Sequence, residues 1–263
     1  MLYGDVVKST INKQIADELK NNWHDFKKAL NNLVTLLQSY GVDVSHFSGS
    51  WNVLLPIIYV IYFNPDYMNC KDGIRAYLLR AVLFTYFQSG TTSKLQQMKS
   101  NINSFDREIT VEMLDQMNEL RLTDGRIEDI LNAEKGSRIA GEALYYLSVG
   151  WLNKAYKYEQ DHLHPYDRFD NSKPASVTMD EWNQWRVNRN RLPNLHLLEG
   201  RSNGSKGSMR LVDYFNSMNE SQQRLFCEEA LIPENCSLEI EDFGTFFKAR
   251  KKLLFSKLQG MLS

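Results

Sequence analysis

The sequence predicts a mainly helical protein with a small α+β part in its C-terminal half. Apolar residues recur at three- and four-residue spacings through the first half, as in Ile15, Leu19 and Phe26, which is typical of amphipathic helices. Beyond Gly150, two short segments at 156–162 and 195–198 have the length of strands. We therefore expect an all-helical scaffold domain over 1–150 and a second domain, with helices and short strands, over 151–263.

The helical elements are expected in the following order. A long first helix is followed by helical runs at 51–63, 73–87, 94–102, 111–120 and 138–147, separated by Gly, Asn, Ser and Thr. In the second half, the segments 180–191, 205–218 and 243–262 have helical periodicity. The last helix carries a basic side formed by Lys248, Arg250, Lys251, Lys252 and Lys257.

Composition limits the class of protein. The most apolar stretch, 51–63, contains Pro56 and is shorter than the roughly 20 residues of a membrane-spanning helix, so no membrane partner is expected. The sequence after Met1 lacks a secretory signal pattern. The 3 cysteines are scattered, which disfavours disulfide frameworks and zinc ribbons. We expect a cytoplasmic protein.

Three motifs combine residue types that are suited to chemistry. Residues 161–165 read Asp-His-Leu-His-Pro, residues 193–200 read Pro-Asn-Leu-His-Leu-Leu-Glu-Gly, and residues 202–206 read Ser-Asn-Gly-Ser-Lys. An Asp-His pair alone is a weak signal, since most such pairs are structural. The pair carries weight because the two other motifs follow it in a fixed order.

In order and spacing, the three motifs resemble an HNH, or His-Me finger, nuclease. The segment resembles more closely the C-terminal nuclease region of GmrSD-type modification-dependent restriction proteins. This resemblance implies a ββα-metal motif embedded in helices, and a prokaryotic DNA endonuclease that restricts phage or modified DNA. A ParB-like nucleotidase module usually precedes these parts in that family. We find no equivalent in this sequence, and expect a fragment or a stand-alone nuclease half.

The resemblance also implies a role for each motif residue. His162 is the general base, because a neutral imidazole accepts a proton near neutral pH. Asp161 and Asn203 hold one Mg²⁺ or Mn²⁺ ion, since hard oxygen ligands suit these cations. Asn194 orients His162 rather than binding the metal.

The predicted DNA contacts form a local basic patch. A formal net charge of -1 gives no overall attraction to polyanions, so affinity must come from such a patch. Lys206 follows Asn203 by one helical turn, which lets both face one phosphate. Between Arg186 and Arg210, Glu199 is the only acidic residue. The expected DNA-binding residues are Arg186, Arg189, Arg191, Arg201, Lys206 and Arg210.

Several residues have a structural interpretation beside the functional one. His164 and His196 are possible auxiliary site residues, but a structural hydrogen bond is favoured for His164 and packing for His196. Trp182 and Trp185 are expected in the core rather than as a base-stacking platform. The alternative function is a catalytically silent nucleic-acid-binding module of a larger defence protein. A third possibility is a structural helical protein whose motifs arose by chance.

Overall fold

The computed structural model describes residues 13–47, 50–153, 155–171, 173–200 and 206–263. Within this part, the chain is mainly helical and contains a small antiparallel sheet of two strands. The coarse fold class predicted from the sequence is therefore confirmed. Two predicted site residues, Arg201 and Asn203, lie outside the described residues.

The contacts divide the chain into two compact units. Unit 1 comprises Met1–Leu122 with Met261–Ser263, and unit 2 comprises Thr123–Gly260. This division lies before the expected boundary at 150, so the helices between 123 and 150 belong to the second unit. The reason is a set of main-chain hydrogen bonds between distant segments, including Leu192 N to Ala133 O at 3.0 Å.

Unit 1 is built from helices. These are α1 (Lys13–Asn21), α2 (Trp23–Ser39), α3 (Leu55–Phe63), α4 (Lys71–Leu83), α5 (Thr91–Ser104) and α6 (Val111–Gln116). The expected long first helix is divided in two at Asn22, and a 3₁₀ turn precedes α3. Pro56 fits the first turn of α3, where its missing N–H costs no intrahelical hydrogen bond.

Unit 2 surrounds the two-stranded sheet with helices. The elements are α7 (Asp124–Leu131), α8 (Arg138–Ser148), β1 (Tyr158–His162), α9 (Met179–Asn188), β2 (Leu195–Glu199), α10 (Leu211–Asn216), α11 (Glu220–Glu229) and α12 (Phe243–Leu262). The strands pair antiparallel, with Tyr158 opposite Glu199 and His162 opposite Leu195. The bounds of α12 are those predicted from its periodicity.

Two helices, α7 and α11, were not predicted from the sequence. Each begins at a side chain that accepts a hydrogen bond from the first turn, Thr123 in α7 and Asn219 in α11. Asn219 and Gln222 form a reciprocal capping box, which is a recognisable helix-start signal. Both helices are short, with 8 and 10 residues, so their apolar periodicity is weak.

An aromatic core lies between α9 and α12. Trp182 and Trp185 are buried there with Phe169, Phe243 and Phe247. The expected core position of the two tryptophans is therefore confirmed. No helix in the described part of the chain is long and apolar enough to cross a membrane.

Candidate active site

The strand register brings the first and second motifs together. Asp161 lies opposite His196, and His162 lies opposite Leu195, at the end of the sheet where β2 begins. Asp161 and His162 are both largely buried, with 8% and 9% of their surface exposed. Directly after β1, the amide of Leu163 donates a hydrogen bond to the carbonyl oxygen of Asn194 at 2.8 Å.

Asn194 connects three segments of backbone. Its side chain is completely buried in the 3₁₀ turn that precedes β2. Oδ1 accepts from His164 N at 2.9 Å, and Nδ2 donates to His164 O at 2.9 Å and to Arg189 O at 2.7 Å. The amide therefore fixes the chain on the C-terminal side of His162. The role of orienting His162 that the resemblance implies for Asn194 stays a prediction.

The imidazole of His162 has a partner on each nitrogen. Lys135 Nζ lies 3.4 Å from Nδ1, and Asn190 Oδ1 lies 3.1 Å from Nε2. An ammonium group can only donate, so Nδ1 is an acceptor and Nε2 carries the proton given to Asn190. Burial lowers the pKa of His162 and the charge of Lys135 adds to this, which outweighs the hydrogen bond to Asn190. The ring is therefore neutral at neutral pH, with a lone pair on Nδ1.

The carboxylate of Asp161 contacts a lysine and a histidine. Lys206 Nζ donates to Asp161 Oδ2 at 2.6 Å and also to the carbonyl oxygen of His162. His196 Nε2 lies 3.4 Å from the same carboxylate oxygen. Burial opposes ionisation of Asp161, but the contacts with His196 and Lys206 outweigh it and hold the pKa well below its ordinary value. Asp161 is thus negatively charged.

Lys206 is part of this buried arrangement. The sequence predicts that Lys206 grips a DNA phosphate, yet its side chain is only 1% exposed and pairs with Asp161. Burial lowers the pKa of Lys206, while Asp161 opposes this effect. Its ammonium group is therefore engaged inside the chain in this conformation.

The other two motif histidines are buried and pack against phenylalanine rings. His164 contacts the rings of Phe243 and Phe246 edge-on, and its Nε2 has no hydrogen-bond partner among the described residues. The ring is thus held by packing, whereas the favoured interpretation was a hydrogen bond. His196 packs edge-on against Phe226, as expected. Burial lowers the pKa of His164 to about 3 and that of His196 to about 4, so both rings are neutral.

The arginines of the predicted basic patch have partners within the chain. Arg189 pairs with Asp170 at 2.7 Å, and Arg186 approaches the same carboxylate at 3.9 Å. Arg210 pairs with Asp213 at 2.6 Å, and Arg191 donates to Asn132 at 3.0 Å. Arg186 is half-exposed, while Arg189 is largely buried. Their contact with DNA stays a prediction.

An exposed aromatic ring lies beside His162. Tyr166 is 40% exposed, and its ring centroid lies 5.6 Å from that of His162. The guanidinium of Arg189 covers the Tyr166 ring at 3.5 Å from its centroid, a cation–π contact. The sequence analysis did not single out Tyr166. Its position one residue after the Asp-His-Leu-His-Pro motif is the signal that was available.

Arg250 on α12 binds the backbone on both sides of Asn194. Its guanidinium is buried and donates to the carbonyl oxygens of Pro193 at 2.7 Å and Leu195 at 2.8 Å, on either side of Asn194. It also donates to Ala230 at 2.8 Å. Burial lowers the pKa of Arg250 to about 9. The sequence pattern had placed Arg250 on a basic helix side, because periodicity does not distinguish a buried arginine from an exposed one.

One described residue, Asp161, has the chemistry of a ligand for a hard divalent cation. Asp161 offers a charged carboxylate, and the position of the Lys206 ammonium, between that carboxylate and the His162 carbonyl, is one that accommodates positive charge. Mg²⁺ binds through one or two carboxylates and completes its ligands with water and phosphate. In the described part of the chain, no group of three or more His, Cys, Asp or Glu is arranged to hold a metal. Asn203, the second predicted ligand, lies outside the described residues.

Two comparisons with known proteins found no relative of this chain. A scan against protein-family models matches none of them, and a search of curated proteins finds no match to this chain. The motifs and the geometry of unit 2 are therefore the observations that bear on function.

Proposed function

We propose that this chain is a metal-dependent endonuclease that hydrolyses DNA phosphodiesters by HNH-type chemistry, nicking or cutting the duplex. The observation that carries the proposal is the neutral His162 beside the ionised Asp161, with Asn194 bonded to the backbone that follows them. A general base beside a carboxylate suited to a divalent cation is the arrangement that phosphodiester hydrolysis requires.

His162 Nδ1 accepts the proton of the attacking water. The water oxygen forms a bond to phosphorus, the bond between phosphorus and the 3′ oxygen breaks, and the leaving oxygen takes a proton from solvent. Asn190 keeps the proton on Nε2, so the lone pair stays on the nitrogen that faces Lys135. Asp161 and Asn203 would hold one Mg²⁺ or Mn²⁺ ion, which supplies neutralisation of the charge that develops on the phosphate.

The surroundings of His162 support nucleic acid as the substrate. The exposed Tyr166 offers an aromatic ring next to the base, and the Arg189 cation that covers one face of this ring is itself paired with Asp170. Aromatic faces and cations are the groups that contact nucleotides. The motif resemblance further suggests restriction of phage or modified DNA in a prokaryotic cytoplasm, with an upstream ParB-like module as partner.

A catalytically silent nucleic-acid-binding module is the second candidate. The ion pair between Lys206 and Asp161 favours it, because that pair already satisfies the carboxylate that would bind the metal. Metal-dependent cleavage distinguishes the two candidates.

The test is an assay on supercoiled plasmid with Mg²⁺, Mn²⁺ or EDTA. We expect nicked or linear product with either metal and none with EDTA. His162→Ala is expected to abolish cleavage and to leave folding and DNA binding nearly unchanged, since it removes the base and little else. His24→Ala is the matched control, because His24 is exposed and lies in unit 1. Full activity in His162→Ala would reject the assignment, and binding without cleavage by the wild type would favour the silent module.

A further inference from the structure

Lys135 approaches the site from a segment outside the three sequence motifs. It lies in the turn between α7 and α8, and its amide donates to Asn190 O at 2.9 Å. The next residue, Gly136, donates from its amide to Gln160 Oε1 on β1 at 2.8 Å and has a φ of +83°. Glycine adopts this left-handed conformation without strain. The turn is therefore attached by its backbone to both sides of the site, and it holds Lys135 beside His162.

Among the described residues, no carboxylate lies at ion-pair distance from the ammonium of Lys135. This ammonium lies 3.4 Å from His162 Nδ1. Lys206, in contrast, is paired with Asp161. An ammonium that gives one hydrogen to Nδ1 still has two donors for other acceptors.

The charges around His162 favour an anion. Two lysines, Lys135 and Lys206, and one carboxylate, Asp161, act on the ring. The buried His164 and His196 are neutral, so they do not offset this balance. The local charge is therefore positive even before any metal binds, which is suited to a phosphate group.

We propose that Lys135 binds a phosphate of DNA directly beside His162 Nδ1 and is thus an active-site residue. On contact, the ammonium donates to a non-bridging phosphate oxygen, which leaves the lone pair of Nδ1 available to the attacking water. This inference rests on the proposed function, because it names how the same site holds its substrate. Binding through Lys135 requires no metal.

The test measures binding in EDTA, where cleavage cannot interfere. A short fluorescent DNA duplex is titrated by anisotropy at several salt concentrations, and inorganic phosphate serves as the competitor. Lys135→Gln is expected to weaken duplex binding at least about tenfold and to lower the log-affinity against log-salt slope by about 0.9. Lys135→Arg is expected to restore both, since it keeps the charge. Lys157→Gln, an equal charge loss at the residue before β1 begins, is the matched control and should bind like wild type.

The location of the phosphate is read from the ring of His162. In wild-type protein, long-range ¹H–¹⁵N spectra should show the Nδ1 signal shifting with added duplex, and with inorganic phosphate at higher concentration. In Lys135→Gln, both shifts should be lost. A variant that binds duplex as tightly as wild type, with the same slope and the same Nδ1 shift, would overturn the inference. So would a loss that Lys135→Arg does not restore, because this would indicate a structural role.

The plasmid assay keeps the two proposals separate. If wild-type protein fails to cleave with Mg²⁺ or Mn²⁺, the proposed nuclease function fails, while binding through Lys135 is still measured in EDTA. If wild-type protein cleaves and Lys135→Gln binds and cleaves normally, only the inference about Lys135 fails.

Discussion

The side chain of Asn194 forms a closed pair of hydrogen bonds with the backbone of His164, donating to its carbonyl oxygen and accepting from its amide, both at 2.9 Å. This pair holds the segment that follows His162 against the turn that precedes β2. A single buried amide therefore sets the position of the segment after His162 relative to the second strand. The consequences can be tested separately for stability and for activity.

We expect Asn194→Ala to lower the free energy of unfolding by at least about 2 kcal/mol, because the substitution leaves three buried backbone groups without partners. In the proposed enzyme, cleavage should fall more than duplex binding, since the position of His162 changes. Urea unfolding and plasmid cleavage measure the two effects. Asn183→Ala, on the exposed side of α9, should change neither. A fully stable Asn194→Ala protein would contradict the role given to this amide.

Asp161 gives a prediction about metal binding that does not depend on cleavage. Asp161→Asn should weaken Mn²⁺ binding at least about tenfold in calorimetric titration of the protein alone, because the substitution removes the charged oxygen ligand. The exposed Asp180→Asn serves as the matched control and should bind Mn²⁺ like wild type. Equal Mn²⁺ affinity in Asp161→Asn would exclude Asp161 as a ligand.

Arg250 should be among the most sensitive positions of unit 2. Arg250→Met removes donors from five carbonyl groups, those of Leu192, Pro193, Leu195, Ala230 and Leu231. We expect a loss of more than about 3 kcal/mol in the free energy of unfolding, because these buried acceptors lose a charged partner. The free energy of unfolding of Arg250→Lys should lie between those of wild type and Arg250→Met, because one ammonium can donate to fewer carbonyl groups than a guanidinium.

The control for Arg250 is Lys252→Met on the same helix. Lys252 is exposed, so the same loss of one charge should change the free energy of unfolding by less than about 0.5 kcal/mol. If thermal and urea unfolding gave the two methionine variants equal stability, the bridging role of Arg250 would be refuted.

The buried ring of His164 predicts a dependence of stability on pH. Its pKa is lowered to about 3 in the folded chain, whereas an unfolded histidine titrates near about 6.5. Between these values the unfolded chain binds a proton that the folded chain does not, so the free energy of unfolding falls as pH falls. The slope for one such proton is roughly 1.4 kcal/mol per pH unit.

His164→Phe removes this titration and retains a ring between Phe243 and Phe246. Urea unfolding between about pH 7 and pH 5 should therefore show a smaller slope in His164→Phe than in wild type, by about one proton. His196, with a pKa lowered to about 4, still contributes its own slope in the variant. His24→Gln, at an exposed position, should retain the wild-type slope. Identical slopes in His164→Phe and wild type would argue against a neutral buried imidazole at this position.

The sequence by itself determined the elements whose signal is local. The apolar period of 243–262 predicted a helix with those bounds, and local sequence pattern predicted two short strands in the right places. The same local pattern placed Asp161 and His162 at the end of one strand and Asn194 directly before the other. Side-chain periodicity depends only on residues that are close in the sequence, so it can be recognised before the fold is known.

Only the tertiary structure decided which groups surround His162 and which charges are neutralised. Lys135 and Asn190 are separated from His162 by 27 and 28 positions and reach it because the turn before α8 bonds to the segment after α9. Arg189 and Arg210 have few acidic residues near them in the sequence, but in the fold they form ion pairs with Asp170 and Asp213. Arg250 is buried because carbonyl groups from two distant segments converge on it. Hydrogen-bond partners and charge balance depend on segments that folding brings together, which no local pattern records.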